Sequence, residues 1–463
     1  MSETTVRVPA APKPTPGPPR DYRFPHFDRR TLGNGVQLVV APIAKLPLVS
    51  VLALVEAGAS VEPEGKHGVA ALTAKLLLEG AAEMDGGALA EHFELIGAAA
   101  DAHGDWDVAT VSLTVLAERL VEALTLLCAV IRKPAFPERE VQRLKEQRLS
   151  DLLQQLAEPR ELADEQFASA TYHPSARYAS PEEGEAASIR ALTRADVQAF
   201  YSARYQPAGI TLIFAGDITT DTAVSLAESL FGDWRGSAPA MAPTSIDKAQ
   251  DGKLVRVVAK SDAPQSEVRV GHVGVPRHVP DYFDVMVMNA VLGGLFSSRI
   301  NLNLREAHGY TYGATSAFEW RRGAGPFVVH TAVKSDVTGP AIQEILREIE
   351  RIRTEEIGVD ELTLATSYLD GVFPIRYETT AAIAGALANL VIHRFDEDYY
   401  DVYRSKVRAV TTSSVLQAAQ RRLHPEALRI VVVGDPAVIT AQIAGVTGMT
   451  PEVVGVDGKQ VST

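Results

Sequence analysis

Hydrophobic and polar positions alternate in several short runs and recur every three to four residues in longer ones. LGNGVQLVVAPI (32–43) and LPLVSVLALVEAG (46–58) predict a strand pair, with an Asn-Gly turn signal at the front of the first. WDVATVSLTVL (106–116) is another alternating strand, and GALAEHFELIGA (87–98) is a short amphipathic helix. AERLVEALTLLCAVI (117–131) and EREVQRLKEQRLSDLLQQLAE (138–158) carry apolar residues at helical spacing over several turns. Strands interleaved with helices and joined by hairpin-like turns predict an α+β chain, with helices packed on largely antiparallel sheets.

The pattern is written twice. IRALTRADVQAFYSARYQPAGITLIFAGD (189–217) aligns without a gap on VRAVTTSSVLQAAQRRLHPEALRIVVVGD (407–435), pairing Arg190 with Arg408 and Asp217 with Asp435. In each copy a threonine, Thr193 or Thr411, is placed to cap a helix that ends near a proline, and a β-branched strand then stops at Gly-Asp. Two homologous halves of about 200 residues follow from this repeat. A length of 463 residues, at about 150 per domain, permits three or four compact units. The expected layout is a disordered proline-rich tail (1–26), an N-terminal half (27–234), a Gly/Ser/Pro/Ala-rich linker (235–254), a C-terminal half (255–445) and a final tail (446–463).

Composition narrows the function classes. A net charge of -13 argues against a nucleic-acid binder, which needs a basic surface to replace phosphate counterions. The single cysteine, Cys128, sits in the apolar run LTLLCAV as a core residue, and no intrachain disulfide can form. The N-terminus has no apolar signal-peptide core, and no stretch of about 20 uncharged apolar residues occurs, so a cytoplasmic protein without a membrane span is expected.

The order LGNGVQLVV, VEAGASVEPEGKHGVAAL, LLLEGA, LIGAAADAHGDWDVATVSL and IRKPAFPEREV resembles the pitrilysin/insulinase-type zinc peptidases, which include the mitochondrial processing peptidases. The resemblance runs from about Phe27 to Asp435. In that family a helix after the glycine carries H-x-x-E-H: two histidines one turn apart bind zinc, and the glutamate polarises a water. Aligned on the glycine of GVA, those positions are Ala71, Ala74 and Lys75, and the later metal glutamate falls near Leu144, with Glu146 as the other alignment. Alanine offers no donor atom and a protonated lysine repels a cation, so the resemblance implies a family scaffold without its metal site. Substitute ligands are not evident: His67 has only Ala71 four residues on, Glu91, His92 and Glu94 spread around their helix, and His103 stands at a strand entrance.

LGGLFSSRINLNLREAHGYTY (292–312) resembles the family's LGGGxSSRLFxxLREKxGLxY. The resemblance implies that Arg305 and Tyr312, seven residues apart, hold the substrate backbone near the scissile carbonyl of a zinc site across a chamber. Tyr310 is the neighbouring candidate for the phenol. Gly293, Gly294 and Ser297 are either a flexible chamber loop or, for the glycines, a tight helix–loop junction. A guanidinium and a phenol are fixed donors suited to a carbonyl or its developing oxyanion. The expectation is a non-catalytic, substrate-binding subunit with no cofactor of its own, paired in a heterodimer with a homologous catalytic subunit that has an intact H-x-x-E-H and carries the zinc. It would act on extended peptides. A structural protein, a homodimeric peptide binder and a peptidase with an unrecognised metal site are the alternatives.

Overall fold

The computed structural model describes Gly17 and residues 21–237, 246–261 and 263–460. Most of the expected N-terminal tail, residues 238–245 of the expected linker and residues 461–463 lie outside the described residues.

Two six-stranded sheets form the architecture. The first contains β1 (Asp28–Thr31), β2 (Gln37–Pro42), β3 (Leu48–Val55), β6 (Ala99–Gly104), β7 (Ala109–Leu116) and β8 (Ile210–Gly216), in the order β1-β2-β8-β3-β7-β6. A two-residue hairpin, β4 (Gly80–Ala81) with β5 (Met84–Asp85), stands apart. The second contains β9 (Leu254–Ala259), β10 (Ser266–Val273), β11 (Ala314–Phe318), β12 (Pro326–Val333), β13 (Arg429–Gly434) and β14 (Glu452–Val454), in the order β11-β12-β10-β13-β9-β14. Pairing is antiparallel throughout, save β2–β8 in the first sheet and β13–β9 and β9–β14 in the second.

The sheets are topological copies. Writing β9, β13, β10, β12 and β11 for β2, β8, β3, β7 and β6 reproduces the strand order, and only the outermost strands differ in origin. The sequence repeat occupies matching places. Thr193 and Thr411 each accept a hydrogen bond from the backbone N–H three residues on and close a capping box, each worth about 1 kcal/mol. The capped helices, Arg194–Arg204 and Thr412–Arg422, lead into β8 and β13. Every residue of these two strands is buried, as expected of inner strands covered on both faces.

The halves exchange helices. Helix Pro159–Thr171, from the N-terminal half, lays Leu162, Ala163, Phe167 and Ala170 on Val328, Val431 and Val433 of the second sheet. Helix Thr380–Ile392 does the reverse: Ile383 and Leu387 share a core with Leu54, Ile213 and Ala215, and Thr380 Oγ1 lies 2.8 Å from Ser50 Oγ. Each sheet is therefore closed by a helix from the other half.

Two expected tails are structured in their described parts. Phe24 stacks on Tyr400 at 4.4 Å, and Tyr22 donates to the carbonyl of Tyr377 at 3.2 Å, which ties residues 21–26 to the C-terminal half. Residues 452–454 form β14, with Val454 buried against β9, so 446–460 completes the second sheet. The helical stretch 282–307 is long and apolar enough to cross a membrane, yet Val285, Val287, Met288, Leu292, Ile300 and Leu304 within it are core residues.

Candidate functional site

Helix Val69–Leu76 follows Gly68, whose φ of +93° favours glycine and whose added Cβ would lie 2.5 Å from the Glu183 carbonyl oxygen. That close approach presses the loop before Gly184 against the helix start. Lys75 Nζ consequently donates to Glu183 Oε1 at 2.8 Å, and Arg148 from the neighbouring helix Glu138–Ala157 reaches Glu183 Oε2 at 3.3 Å. Ala71, Lys75 and Leu144 line one cleft of about 90 Å³. Ala74 is fully buried and faces packed core, outside that lining.

A methyl, an ammonium and an isobutyl group therefore stand around the cleft, with Lys75 neutralised by a carboxylate. These residues do not fit a zinc ion, and among the described residues no group of three His, Cys, Asp or Glu side chains is placed to hold a metal. The structure puts Leu144 in the cleft and leaves Glu146 out of it. His103 Nδ1 lies 2.8 Å from Asp101 Oδ2 on exposed β6. His92 Nδ1 lies 2.7 Å from the carbonyl of Ala88 in its own helix.

A buried ion pair frames the cleft. Glu62 Oε1 accepts from the N–H groups of Gly68 and Ala70 at 2.9 and 2.8 Å, and Glu62 Oε2 accepts from Arg177 Nε at 2.9 Å. Arg177 also donates to the carbonyls of Ser180, Pro181 and Glu182, and its guanidinium lies 5.1 Å from the Trp106 ring. Burial pushes the Glu62 carboxyl up to about 7, against the downward pull of Arg177 and the two N–H groups. Arg177 thus fixes the loop that delivers Glu183.

The second set of residues lies on the C-terminal half. Gly293 lies in the helical turn Ala290–Gly294, packed on β11: a Cβ there would lie 2.4 Å from Ser316 Oγ and 2.6 Å from its backbone nitrogen. Gly293 is therefore a tight junction. Gly294, expected in a chamber loop, is instead the exposed last residue of that turn; Ser297 is exposed in the loop that follows, beside Phe296, which is 70% exposed. Arg305 stacks its guanidinium on Phe296 at 4.6 Å, with Glu306 Oε1 at 3.5 Å from its Nε. Tyr312, in the loop before β11, is 91% exposed. Tyr310 packs on His308 at 4.9 Å and on the core, which leaves Tyr312 as the free phenol.

Buried Asn301 links these loops, since its Nδ2 donates to the Phe296 carbonyl at 2.6 Å and its Oδ1 accepts from Ala314 N at 3.0 Å. Arg299, at the helix start, is clamped by both oxygens of Glu361 at 2.6 and 2.8 Å. No hydrogen bond joins Arg305 to Tyr312. Tyr312 lines a groove of about 820 Å³ with Arg160, Asp164, Arg269 and His330, and Arg305 stands outside it. Burial alone would raise the Asp164 carboxyl, but His330 and Arg269 hold it below its ordinary value.

Sequence reasoning did not identify Glu183, Phe296 or Asn301. Glu183 lies in PEEGE, which has no periodicity, 108 residues from Lys75. Phe296 and Asn301 sit inside the recognised segment, and their only signal was position.

Residues 40–180 match the model described as Insulinase (Peptidase family M16), and residues 191–369 match the one described as Peptidase M16 inactive domain. An uncharacterized zinc protease of Rickettsia felis is 22% identical over 74% of this chain and 82% of its own. A probable mitochondrial-processing peptidase subunit beta of Schizosaccharomyces pombe is 25% identical over 58% of this chain and 59% of its own. A crystal structure of a peptidase M16 inactive domain from Pseudomonas fluorescens superposes with a TM-score of 0.83 at 25% identity, covering 88% of this chain and 98% of that one. A protease structure from Helicobacter pylori has the same fold, with a TM-score of 0.82 at 20% identity over 88% and 99% of the two chains.

Proposed function

The chain belongs to the insulinase (M16) peptidase family, and on that premise we propose that it is the non-catalytic, substrate-binding subunit of a heterodimeric zinc metallopeptidase. The observation that carries the reading is the contrast between the two sets of residues. Where the family places its metal ligands, Lys75 is locked to Glu183 beside Ala71 and Leu144, whereas a half-buried Arg305 and an exposed Tyr312 stand on an anchored segment.

A homologous partner with an intact H-x-x-E-H would carry the zinc and its water. This chain would contribute two donors. Arg305, its guanidinium held flat by Phe296, is placed to meet a peptide carbonyl or the oxyanion that develops from it. Tyr312 offers a hydroxyl from the adjacent loop. An extended peptide would add as a strand, with main-chain hydrogen bonds supplying affinity. The edges of the two sheets differ in this respect. On β11, Ala314 N and Ser316 O are engaged by Asn301 and Asn289, whereas β6, among the described residues, pairs with β7 alone and has no strand on its outer edge.

The test is turnover by the reconstituted pair. Arg305→Ala should cut kcat by roughly 10²-fold, the scale of losing one oxyanion donor, with Tyr312→Phe having a smaller effect and zinc content unchanged in both. Unaltered turnover in Arg305→Ala would sink the role given to this residue.

A further inference from the structure

The two halves enclose a cavity of about 800 Å³ that none of the residues above explains. Its lining contains four arginines. Arg29 on β1 and Arg204 at the end of its helix come from the N-terminal half; Arg322 of the β11–β12 hairpin and Arg394, beyond helix Thr380–Ile392, come from the other. Only two carboxylates, Glu56 and Asp107, share the lining, so it is net positive in a chain whose net charge is -13.

The carboxylates are already engaged by one arginine. Arg322 holds both oxygens of Glu56 at 2.5 and 2.8 Å, and its backbone N–H donates to Asp107 Oδ2 at 3.0 Å. Arg204 is buried and donates to the carbonyl of Val61 at 3.0 Å. Arg29 is different. Its Nε forms one ion pair, at 3.4 Å to Glu397, whose side chain is 72% exposed, and Nε and Nη2 make no hydrogen bond within the protein. Arg394 forms no ion pair among the described residues and holds a φ of +54°, a left-handed conformation costly for a residue with a Cβ.

Glu56 and Asp107 are taken up by Arg322, so the guanidinium groups of Arg29 and the exposed Arg394 are the lining cations left with capacity for a further oxyanion. We infer that this cavity binds a small ligand bearing a phosphate or carboxylate group, gripped by Arg29 from one half and Arg394 from the other. The volume suits a small molecule, and the planar fork of arginine matches either oxyanion. Such a ligand bridges the halves, so its occupancy resists their separation. The inference does not depend on the proposed peptidase role.

The test uses the full chain, titrated with inorganic phosphate and separately with citrate, at an ionic strength held constant with sodium chloride because screening alone alters surface charges. Thermal denaturation and calorimetry are the readouts. A saturable rise in Tm is expected with at least one of the two, and the half-saturating concentration should rise at least tenfold in Arg29→Gln/Arg394→Asn. A response to phosphate alone identifies a phosphate-bearing ligand, and one to citrate alone a carboxylate-bearing ligand. Should the double variant fold poorly, Arg394→Asn alone, at a backbone conformation that asparagine tolerates, should raise the half-saturating concentration severalfold. No saturable stabilisation beyond chloride, or an unshifted response in the variants, overturns the inference.

Discussion

Replacing Arg177 with methionine removes the cationic partner of a buried carboxylate and leaves it only the N–H groups of Gly68 and Ala70 among the bonds described above. The Glu62 side chain is 0% exposed and that of Arg177 is 7% exposed. Breaking a buried pair from one side costs about 3–5 kcal/mol, because the remaining charge is left uncompensated. Three loop carbonyls, those of Ser180, Pro181 and Glu182, lose their donor as well. That is a large part of the 5–15 kcal/mol typical of a folded domain.

The penalty should depend on pH. With Arg177 present, burial already raises the Glu62 carboxyl to about 7, so the protonated form is favoured in the fold and stability falls as pH rises towards 7. Without the guanidinium the carboxyl moves higher still. Above pH 7 the variant therefore keeps losing up to about 1.4 kcal/mol per pH unit relative to the parent. Urea unfolding at pH 6 and pH 8, followed by fluorescence and circular dichroism, measures both effects. Glu62→Gln/Arg177→Met should recover part of the loss, since the stranded charge is gone. A cost below about 1 kcal/mol, or a double variant no better than the single, would refute the view that this pair frames the cleft.

Three further outcomes are expected. Rebuilding the ligands as Ala71→His/Lys75→His/Leu144→Glu should give a chain that takes up one zinc ion by elemental analysis, while the parent takes up none; a folded variant without zinc would show that the cleft no longer has the family geometry. Burial depresses the imidazolium of His272 to about 4, so this residue stays neutral in the fold but protonates in the unfolded chain, and its contribution to stability is lost as pH falls below about 6.5. Between pH 7 and pH 5 the parent should lose about 2 kcal/mol more than His272→Gln in matched urea titrations. Gly293→Ala should cost about 1–3 kcal/mol by driving a methyl into the backbone of Ser316, and an unchanged Tm would contradict the tight junction drawn here.

Much of the fold was legible because its signals are local. Thr193 and Thr411 cap their helices by hydrogen bonds within four residues, and the apolar runs of β8 and β13 are those of covered inner strands. The helix exchange was not legible. Leu162, Phe167, Ile383 and Leu387 announce an apolar face, but periodicity does not say which sheet that face will meet. β14 is three residues long, too short to stand out from a tail, and its register comes from the β9 edge beside it. At the candidate site, the lack of donor atoms at Ala71 and Ala74 and the positive charge of Lys75 could be read directly, while their correspondence to metal positions came only from the resemblance. The salt link to Glu183 required the close backbone packing of Gly68, and the stacking of Arg305 on Phe296 required a loop shape that no spacing rule encodes.

The central claim is a division of labour between two chains. It is tested most directly by capturing this chain from its own cells and recording a native mass spectrum of what it holds. The account predicts a one-to-one assembly with a homologous chain of similar size, carrying about one zinc ion that remains when Arg305 is changed to alanine. A metal-free homodimer would contradict it, leaving a peptidase scaffold that has given up proteolysis.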